Sequence, residues 1–204
     1  MKLHWSPRSP YVRKVMVCAH ELQLLPQIVL VRSVAAMRQP NPVLMRDNPL
    51  SKIPTLVLDD GTTLFDSAVI CEYLNALADG SLFPAAGAPR WQALRWQAFG
   101  DGLLDALVLW RNERERSDVS RSAELVQAFE VKTDAALTCL EVEAAELVNA
   151  PYSIGHVTLG CALGYLDFRF ADLGWRARAP AMAGWYAAQQ VRPAFVATEP
   201  TMQG

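Results

Sequence analysis

A proline placed directly before a short hairpin is the feature that most narrows the fold of this chain. Pro54 precedes a β-prone run at residues 55–58, an Asp-Asp-Gly turn follows, and residues 62–65 form a second short run. A glycine-containing turn between two such runs predicts a β-hairpin. Because proline lacks the N–H that a strand ladder needs, Pro54 must stand at a strand start, an edge or a special turn. We therefore expect this hairpin to form a binding edge.

The residues on both sides of the hairpin suit a peptide-like ligand. If the bond between Ile53 and Pro54 is cis, the N–H and C=O of Ile53 turn outward, where a ligand can pair with them as an added strand. Asp66 and Ser67 precede an apolar helical pattern, so Ser67 is the predicted N-cap and the N–H groups beside it form an anion site. A carboxylate suits that site and Asp66 suits an ammonium, so the pair fits an α-amino acid head group.

Ser9 and Pro10 mark the beginning of the first predicted helix, because apolar residues recur at helical spacing from Tyr11 onward. Serine is favoured at the N-cap, and proline at the first helical position loses no hydrogen bond. Taken alone, Ser9 is a plain N-cap, and the same holds for Ser67. Ser6 also precedes a proline, but no helical pattern follows it directly.

The first third of the chain combines strand and helix patterns. Residues 2–5 and 27–31 predict strands on either side of the first helix, and prolines leave residues 35–46 ambiguous. With the hairpin and the helix after it, the order is β-α-β-α-β-β-α. This order predicts an α/β thioredoxin-like domain over residues 1–78, with a small mixed sheet and helices on both faces.

The rest of the chain is predicted to be all-helical. Residues 79–89, rich in Ala, Gly and Pro, form a linker, and strand patterns nearly vanish over residues 90–204. Two long helices are expected at 91–115 and 122–147, the first bent near its glycines, and shorter helices after residue 180. The stretch 152–170 is apolar almost all round, which predicts a helix buried in the domain centre.

The composition is that of an ordinary compact protein. Of 204 residues, 51% are hydrophobic and the formal net charge is −2, so there is no broad basic field for nucleic acid or an anionic membrane. The longest apolar run, at 157–166, is too short to span a bilayer. The four cysteines stand singly and the histidines form no ligand cluster, so we expect reduced core cysteines, a cytoplasmic location, no metal and no tightly bound cofactor.

Four motifs, in the order SPRSPYVRKV, NPLSKIP, FDSAVICEYL and SIGHVTLGCALGYLDFR, resemble the cytosolic glutathione S-transferases. The resemblance covers nearly the whole chain and looks closest to bacterial serine-type members, whose first helix opens with S-P-[FY]-V-R-K, matched here by residues 9–14. It implies a homodimer with glutathione as cosubstrate. The implied activity is a detoxifying one, in which glutathione thiolate attacks a small hydrophobic electrophile or reduces a peroxide.

The resemblance also implies a glutathione site. Ile53, before the predicted cis-Pro54, takes the place of the residue whose backbone pairs with the cysteinyl unit. Asp66 and Ser67 take the places that hold the γ-glutamyl ammonium and carboxylate. Lys52 lies where family members often touch the glycyl end. The loop and the N-cap of the following helix would thus bind most of the tripeptide.

Ser9 takes the place of the residue that contacts the glutathione sulfur. A free thiol has a pKa of about 8.5, so only a minority is nucleophilic thiolate near neutral pH. The helix N-terminus and a hydrogen bond from the Ser9 hydroxyl would lower that pKa. Ser9 is thus the predicted catalytic residue, as a donor and not as the nucleophile. Cys18 lies too deep in the same helix to act as a catalytic thiol, which disfavours a cysteine-type reductase.

Two residues depart from the family pattern. Ser51 stands where the loop usually has glycine, and at a positive φ a serine costs on the order of 1 kcal/mol and would displace Lys52. His156 stands three residues after the predicted N-cap Ser153, where the family's capping box usually has Asp, and neutral His is a poorer acceptor. The Ser51 change favours an alternative function, a non-catalytic binding module of the stringent-starvation kind, which contacts RNA polymerase and whose glutathione site has decayed.

Residues of the predicted long helix have two interpretations each. Asp101 and Asp105 share a face, which favours a solvated or dimer-facing pair, whereas the family suggests an acidic residue here that reaches the partner subunit's glutathione. Trp110, Arg111 and Arg114 suit the edge of an acceptor pocket, whereas the charges of residues 111–116 favour a solvated turn. The sequence leaves open which electrophile is the acceptor and whether conjugation or peroxide reduction dominates.

Overall fold

The computed structural model describes residues 1–202 and divides into two compact units. Unit 1 comprises Met1–Arg90 together with the segment that begins at Pro193, and unit 2 comprises Trp91–Arg192. Unit 1 combines a small mixed sheet with helices, and unit 2 is helical. The predicted fold class, an α/β unit followed by an all-α unit, is confirmed. The last short helix of the chain groups with unit 1.

Unit 1 is built on a four-stranded sheet in the order β2-β1-β3-β4. The strands are β1 (Lys2–Trp5), β2 (Val29–Arg32), β3 (Thr55–Val57) and β4 (Thr63–Leu64). β1 runs parallel to β2 and antiparallel to β3, which pairs antiparallel with β4. β1 therefore lies inside the sheet, and its Leu3 is fully buried. The hairpin predicted around the Asp-Asp-Gly turn is confirmed as β3 and β4.

The helices of unit 1 are α1 (Pro10–Glu21), α2 (Ser67–Leu77) and α8 (Pro193–Ala197), with 3-10 helices at Leu25–Gln27 and Leu44–Arg46. α1 packs against both α2 and α8. The ambiguous stretch at 35–46 contains an isolated antiparallel bridge between Ala36 and Gln39 and the second 3-10 helix. The amide oxygen of Asn41 accepts the N–H groups of Val43 and Leu44 at 3.0 and 3.2 Å, a local bond that competes with helix formation.

Unit 2 contains most of α3, which begins at the end of unit 1, and four further helices. These are α3 (Gly87–Arg114), α4 (Ala123–Asn149), α5 (Ile154–Arg169), α6 (Trp175–Arg178) and α7 (Pro180–Gln190), with a 3-10 helix at Ala171–Leu173. The first 13 residues of α5 are all buried, which confirms the predicted central helix. Within residues 1–202, no helix has both the length and the apolar character needed to cross a membrane.

Two glycines let α3 and α5 approach closely. A Cβ on Gly100 would lie 2.8 Å from Thr158 Cγ2 and 3.1 Å from the Thr158 carbonyl carbon. A Cβ on Gly155 would lie 2.6 Å from Trp96 Cβ and 3.0 Å from the Ala93 carbonyl oxygen. α3 is a continuous helix through Gly100. Gly100 therefore has a packing role in α3, and the bend expected near the glycines of this helix stays a prediction.

The charged stretch at residues 111–116 is not the solvated turn that the charge pattern favoured. α3 ends at Arg114, which forms an ion pair with Asp172 at 2.7 Å. Glu113 is buried and accepts the N–H of Ser122, the N-cap residue of α4, at 2.6 Å. Arg116 donates to the same carboxylate at 3.3 Å. A buried carboxylate needs hydrogen-bond partners, and Glu113 finds one of them in the N-cap residue of α4. The stretch thus holds the beginning of α4 in place.

The predicted capping box at the start of α5 is confirmed. His156 Nδ1 accepts the N–H of Ser153 at 3.2 Å and lies 3.0 Å from the Ser153 hydroxyl. His156 Nε2 lies 3.0 Å from the carbonyl oxygen of Leu147, in the last turn of α4. A carbonyl only accepts, so Nε2 carries the proton and the ring is neutral. Burial holds the pKa of His156 below its ordinary value of 6.5, and the positive charge of Arg192 acts in the same direction.

His156 does more than the Asp that it replaces. An aspartate at this position accepts the N–H of the N-cap residue and has no donor for a carbonyl. The second nitrogen of His156 satisfies the Leu147 carbonyl and so joins the end of α4 to the start of α5. The expectation that histidine is a poorer capping acceptor than Asp stays a prediction, and the additional bond to Leu147 acts in the opposite direction.

His156→Gln should reduce the dependence of stability on pH. Below about pH 6.5 the unfolded chain binds a proton at His156 that the native ring, with its lowered pKa, does not bind. The wild-type free energy of unfolding therefore falls as the pH drops from 6.5 towards the native pKa. Glutamine keeps an acceptor for the N-cap but does not titrate. Urea unfolding between about pH 7.5 and about pH 5 should show the larger loss for the wild type.

The matched control is His20→Gln, which changes a half-buried histidine of unit 1. The reduction in pH dependence should be larger in His156→Gln than in this control. An equal pH dependence in the wild type and in His156→Gln would contradict the lowered pKa.

Candidate functional site

Ser9 is the N-cap of α1, as predicted, and its Oγ accepts the N–H of Val12 at 3.3 Å. Because the oxygen accepts this bond, the hydroxyl proton is available for a ligand. Ser9 is half-buried, and the first turn of α1 contains no acidic residue. A hydroxyl donor thus lies at the positive end of a helix dipole, which suits an anion. Ser6 is buried, and its Oγ accepts the N–H of Arg8 at 3.4 Å.

One buried asparagine organises the loop before β3. The Nδ2 of Asn48 donates to the carbonyl of Lys52 at 3.2 Å and to Thr55 Oγ1 at 3.0 Å, while its Oδ1 accepts the N–H of Leu50 at 3.0 Å. Asn48 is fully buried. No role was predicted for Asn48, although an Asn-Pro pair is a turn signal. The hydrogen bonds of Asn48 therefore hold the backbone of this loop in one conformation.

The peptide bond between Ile53 and Pro54 is cis. Pro54 is buried, Ile53 is half-buried and Lys52 is exposed. Within residues 1–202, none of the hydrogen bonds of this loop uses the N–H or C=O of Ile53. These two backbone groups are therefore available to a ligand that lies along the loop as an added strand.

Asp66, and not Ser67 as predicted, is the N-cap of α2. Asp66 has an extended backbone, and its Oδ1 accepts the N–H of Ala68 at 2.9 Å. Ser67 is the first helical residue and is buried. Asp and Ser are about equally good N-caps, so the one-residue shift was not decided by residue type. Asp66 is exposed, and its second carboxylate oxygen is a further acceptor. The peptide bond before Asp66 is also cis.

The sheet register brings these elements to one edge. His4 in β1 faces Thr55 in β3, and Leu56 in β3 faces Leu64 in β4. The end of β1, the start of β3 and the end of β4 therefore lie side by side, because neighbouring antiparallel strands reverse direction. The N-cap of α1, the loop before Pro54 and the N-cap of α2 follow directly from these strand ends. Unit 1 thus presents a hydroxyl, a backbone pair and a carboxylate along one sheet edge.

A polar network that the sequence analysis missed joins β1 to residues 33–47. The ring of His4 is buried, with Nδ1 2.7 Å from Ser33 Oγ and Nε2 2.7 Å from Asp47 Oδ2. Lys2 Nζ donates to the same oxygen of Asp47 at 2.6 Å. The hydrogen bonds from Lys2 and then His4 hold the pKa of Asp47 below its ordinary value. The available signal was the alternation of Lys2 and His4, which places both on one face of β1.

The candidate residues of unit 2 have mainly structural surroundings. The ring of Trp110 is buried, with its centroid 4.8 Å from that of Phe170. Arg111 Nε lies 3.8 Å from the Glu115 carboxylate. Asp101 is half-buried. In the described part of the chain, no cluster of His, Cys, Asp and Glu side chains is arranged to hold a metal ion.

Comparison with known proteins agrees with this class of fold and site. The family model described as Glutathione S-transferase, N-terminal domain, matches residues 8–77, and the model for the C-terminal domain matches residues 123–188. The chain is 42% identical to a glutathione transferase family member from Pseudomonas fluorescens Pf-5, solved with bound glutathione. The alignment covers 98% of this chain and 99% of that one, with a TM-score of 0.95. The chain belongs to the glutathione S-transferase family.

Two further relatives show how this similarity is distributed. A Pseudomonas fluorescens Pf-5 family member with bound S-(propanoic acid)-glutathione is 41% identical, with a TM-score of 0.89 over 99% of this chain and 100% of that one. The uncharacterized GST-like protein YibF of Escherichia coli K12 is 27% identical over 203 residues, 98% of each chain. The similarity therefore extends across both units.

Asn48→Ala should destabilise unit 1 strongly for a single polar substitution. The change removes all three hydrogen bonds of a fully buried side chain and leaves the Leu50 N–H without its acceptor, whereas the Lys52 carbonyl keeps the Thr55 hydroxyl at 2.9 Å. A buried polar group left unsatisfied costs about 1 to 3 kcal/mol. We expect the free energy of unfolding, measured with urea, to fall by roughly 2 to 4 kcal/mol. The control Asn149→Ala removes an exposed bond to Ala145 and should change it by less than about 0.5 kcal/mol. Equal effects of the two substitutions would contradict the central role of Asn48.

Proposed function

We propose that this protein is a glutathione transferase. It activates the thiol of glutathione and either conjugates glutathione through its sulfur to a small hydrophobic electrophile or uses glutathione to reduce a peroxide. The observation that carries the proposal is the convergence, on one edge of the unit 1 sheet, of the Ser9 hydroxyl, the free backbone groups of Ile53 and the Asp66 carboxylate. Glutathione offers a thiol, a cysteinyl backbone and a γ-glutamyl head group. The three protein groups match these in chemical type.

The backbone of Ile53 is proposed to pair with the cysteinyl unit as an added strand. Asp66 is proposed to accept the γ-glutamyl ammonium with the carboxylate oxygen that does not cap α2. The first-turn N–H groups of α2, at Ser67, are proposed to hold the α-carboxylate, because helix N-termini bind anions. Lys52 is proposed to meet the glycyl carboxylate. Since Lys52 is exposed, that ion pair contributes only about 0 to 1 kcal/mol.

Ser9 is proposed to donate a hydrogen bond from its hydroxyl to the sulfur of bound glutathione. A hydrogen bond to a charged group contributes about 1.5 to 3 kcal/mol, which corresponds to a thiol pKa lowered by roughly one to two units. The thiolate then attacks an electrophilic carbon, a C–S bond forms, and the electron pair leaves with a displaced group or moves into a conjugated system. With a peroxide, the sulfur attacks one oxygen, an S–O bond forms and the O–O bond breaks, and the other oxygen leaves as an alcohol after taking up a proton. A second glutathione then attacks the sulfenic acid sulfur, which releases water and gives glutathione disulfide.

The related structure that holds S-(propanoic acid)-glutathione makes conjugation the first activity to assay. That ligand is a thioether, the kind of product that conjugation leaves. The homodimer, a cytoplasmic location and a role in detoxification remain predictions. So do the contact of Asp101 with the partner's glutathione and the part of Trp110 and Arg111 in an acceptor pocket.

The alternative of a non-catalytic binding module rests on Ser51. Ser51 stands where the family has glycine, but its hydroxyl accepts the N–H of Asn41 at 2.8 Å, so the substitution is integrated into an ordered loop. Retention on immobilised glutathione separates the two functions. Calorimetry that detects no binding at millimolar glutathione would end the enzyme proposal.

Ser9→Ala should raise the pKa of the thiol of bound glutathione by roughly one to two units and lower kcat/KM near neutral pH about 10- to 100-fold. The reason is loss of the donor to the thiolate. The measurement is an ultraviolet titration of the thiolate in the binary complex, paired with the pH profile of kcat/KM for an activated aryl halide.

Two further variants separate catalysis from helix capping. Ser9→Gly also lacks the hydroxyl but costs the cap only a few tenths of a kcal/mol, so it should show the same pKa shift in a more stable protein. Ser6→Ala removes the neighbouring serine and should leave the titration unchanged. If Ser9→Ala and Ser9→Gly both bind glutathione with the wild-type thiol pKa, Ser9 is not the donor.

A further inference from the structure

Ser51 has a backbone conformation that a serine rarely adopts. Its φ is 52°, in the left-handed region where glycine is favoured. A side chain at such a position disfavours folding about fivefold relative to glycine. The position is half-buried, within the loop whose next two residues, Lys52 and Ile53, belong to the proposed glutathione site.

The Ser51 hydroxyl makes a contact that glycine cannot make. Its Oγ accepts the backbone N–H of Asn41 at 2.8 Å. Asn41 is itself a junction, because its Nδ2 donates to the Val34 carbonyl at 3.0 Å and its carbonyl oxygen accepts the N–H of Met45 at 2.9 Å. The serine therefore ties the loop to an ordered neighbouring segment across ten residues of chain.

That neighbouring segment is anchored to the sheet at both ends. Ser33 and Asp47 each contact the buried ring of His4 in β1 at 2.7 Å. On its other side, the N–H of Ser51 donates to the carbonyl of Asn48 at 2.9 Å. Ser51 thus lies between two fixed points, Asn41 and Asn48. The peptide that leaves it towards Ile53 has its starting position set by both.

We propose that Ser51 is a positioning residue for glutathione. Through the Asn41 N–H, its hydroxyl holds the backbone of Lys52 and Ile53 in the binding conformation before the ligand arrives. Glutathione then binds a preordered loop, so little of its binding free energy is used to order the chain. The inference rests on the proposed glutathione site. In it, the Ser51 hydroxyl raises the affinity of the protein for glutathione, and this gain offsets the folding cost of the positive φ.

The test compares Ser51→Gly with Ser51→Ala, because both lack the hydroxyl and only glycine relieves the backbone. We expect the folding equilibrium to favour Ser51→Gly over Ser51→Ala by about fivefold in urea unfolding. We expect the Kd and the KM for glutathione to rise about 2- to 10-fold in both variants and by similar factors. The kcat at saturating glutathione and the KM of the acceptor should stay at wild-type values.

A merely structural role gives a different pattern. Affinity would then follow stability, and Ser51→Gly would bind glutathione as well as the wild type does, or better. Hydrogen exchange at the Asn41 amide supplies a measurement independent of activity, and it should be faster in both variants than in the wild type. The control Ser120→Ala changes an exposed serine of unit 2 and should leave glutathione affinity unchanged.

The outcomes separate this inference from the proposed function. If the wild type does not bind glutathione, both fail. If the wild type binds and Ser51→Gly binds within about twofold of it, only the positioning role is overturned. Unchanged exchange at the Asn41 amide in both variants would likewise overturn it, because the tie would then not protect that N–H.

Discussion

The pairing of β1 with β3 is the interaction on which the site of unit 1 depends. The register that sets His4 opposite Thr55 places the beginning of α1 beside the loop that precedes Pro54. The β3–β4 hairpin then returns the chain, so that Asp66 follows at the same edge. A slip of one residue would turn every side chain of β1 to the opposite face. It would break the contacts of Lys2 and His4 with Asp47 and bury polar groups without partners.

The features predicted from sequence are those in which neighbours along the chain decide the conformation. The Ser9-Pro10 cap, the Asp-Asp-Gly hairpin and the wholly apolar α5 follow from a few adjacent residues each. The choice of Asp66 over Ser67 as N-cap was missed, because both residue types cap well and the backbone around them decides. The contact of His4 with Asp47 joins residues 43 positions apart, and the three bonds of Asn48 appear only when the loop has closed.

The two departures from the family pattern share a physical explanation. Histidine at position 156 is a weaker capping residue by residue type alone, yet its second nitrogen reaches the Leu147 carbonyl. Serine at position 51 is strained by residue type alone, yet its hydroxyl reaches the Asn41 N–H. In both places the side chain joins two segments that the usual residue would leave separate. Propensity scales measure a residue against its own backbone and cannot include such a second partner.

The close approach of α3 and α5 limits how this chain can exchange either helix with a relative. Gly100 admits Thr158, and Gly155 admits Trp96 and the Ala93 carbonyl. Two contacts, which lie four to seven residues apart along α3 and three residues apart along α5, fix both the spacing of the helices and their offset along the axis. A chimera that keeps one of these helices and takes the other from a relative therefore packs correctly only if both close contacts are preserved. The two helices therefore have to be exchanged together, although α4 separates them in the sequence.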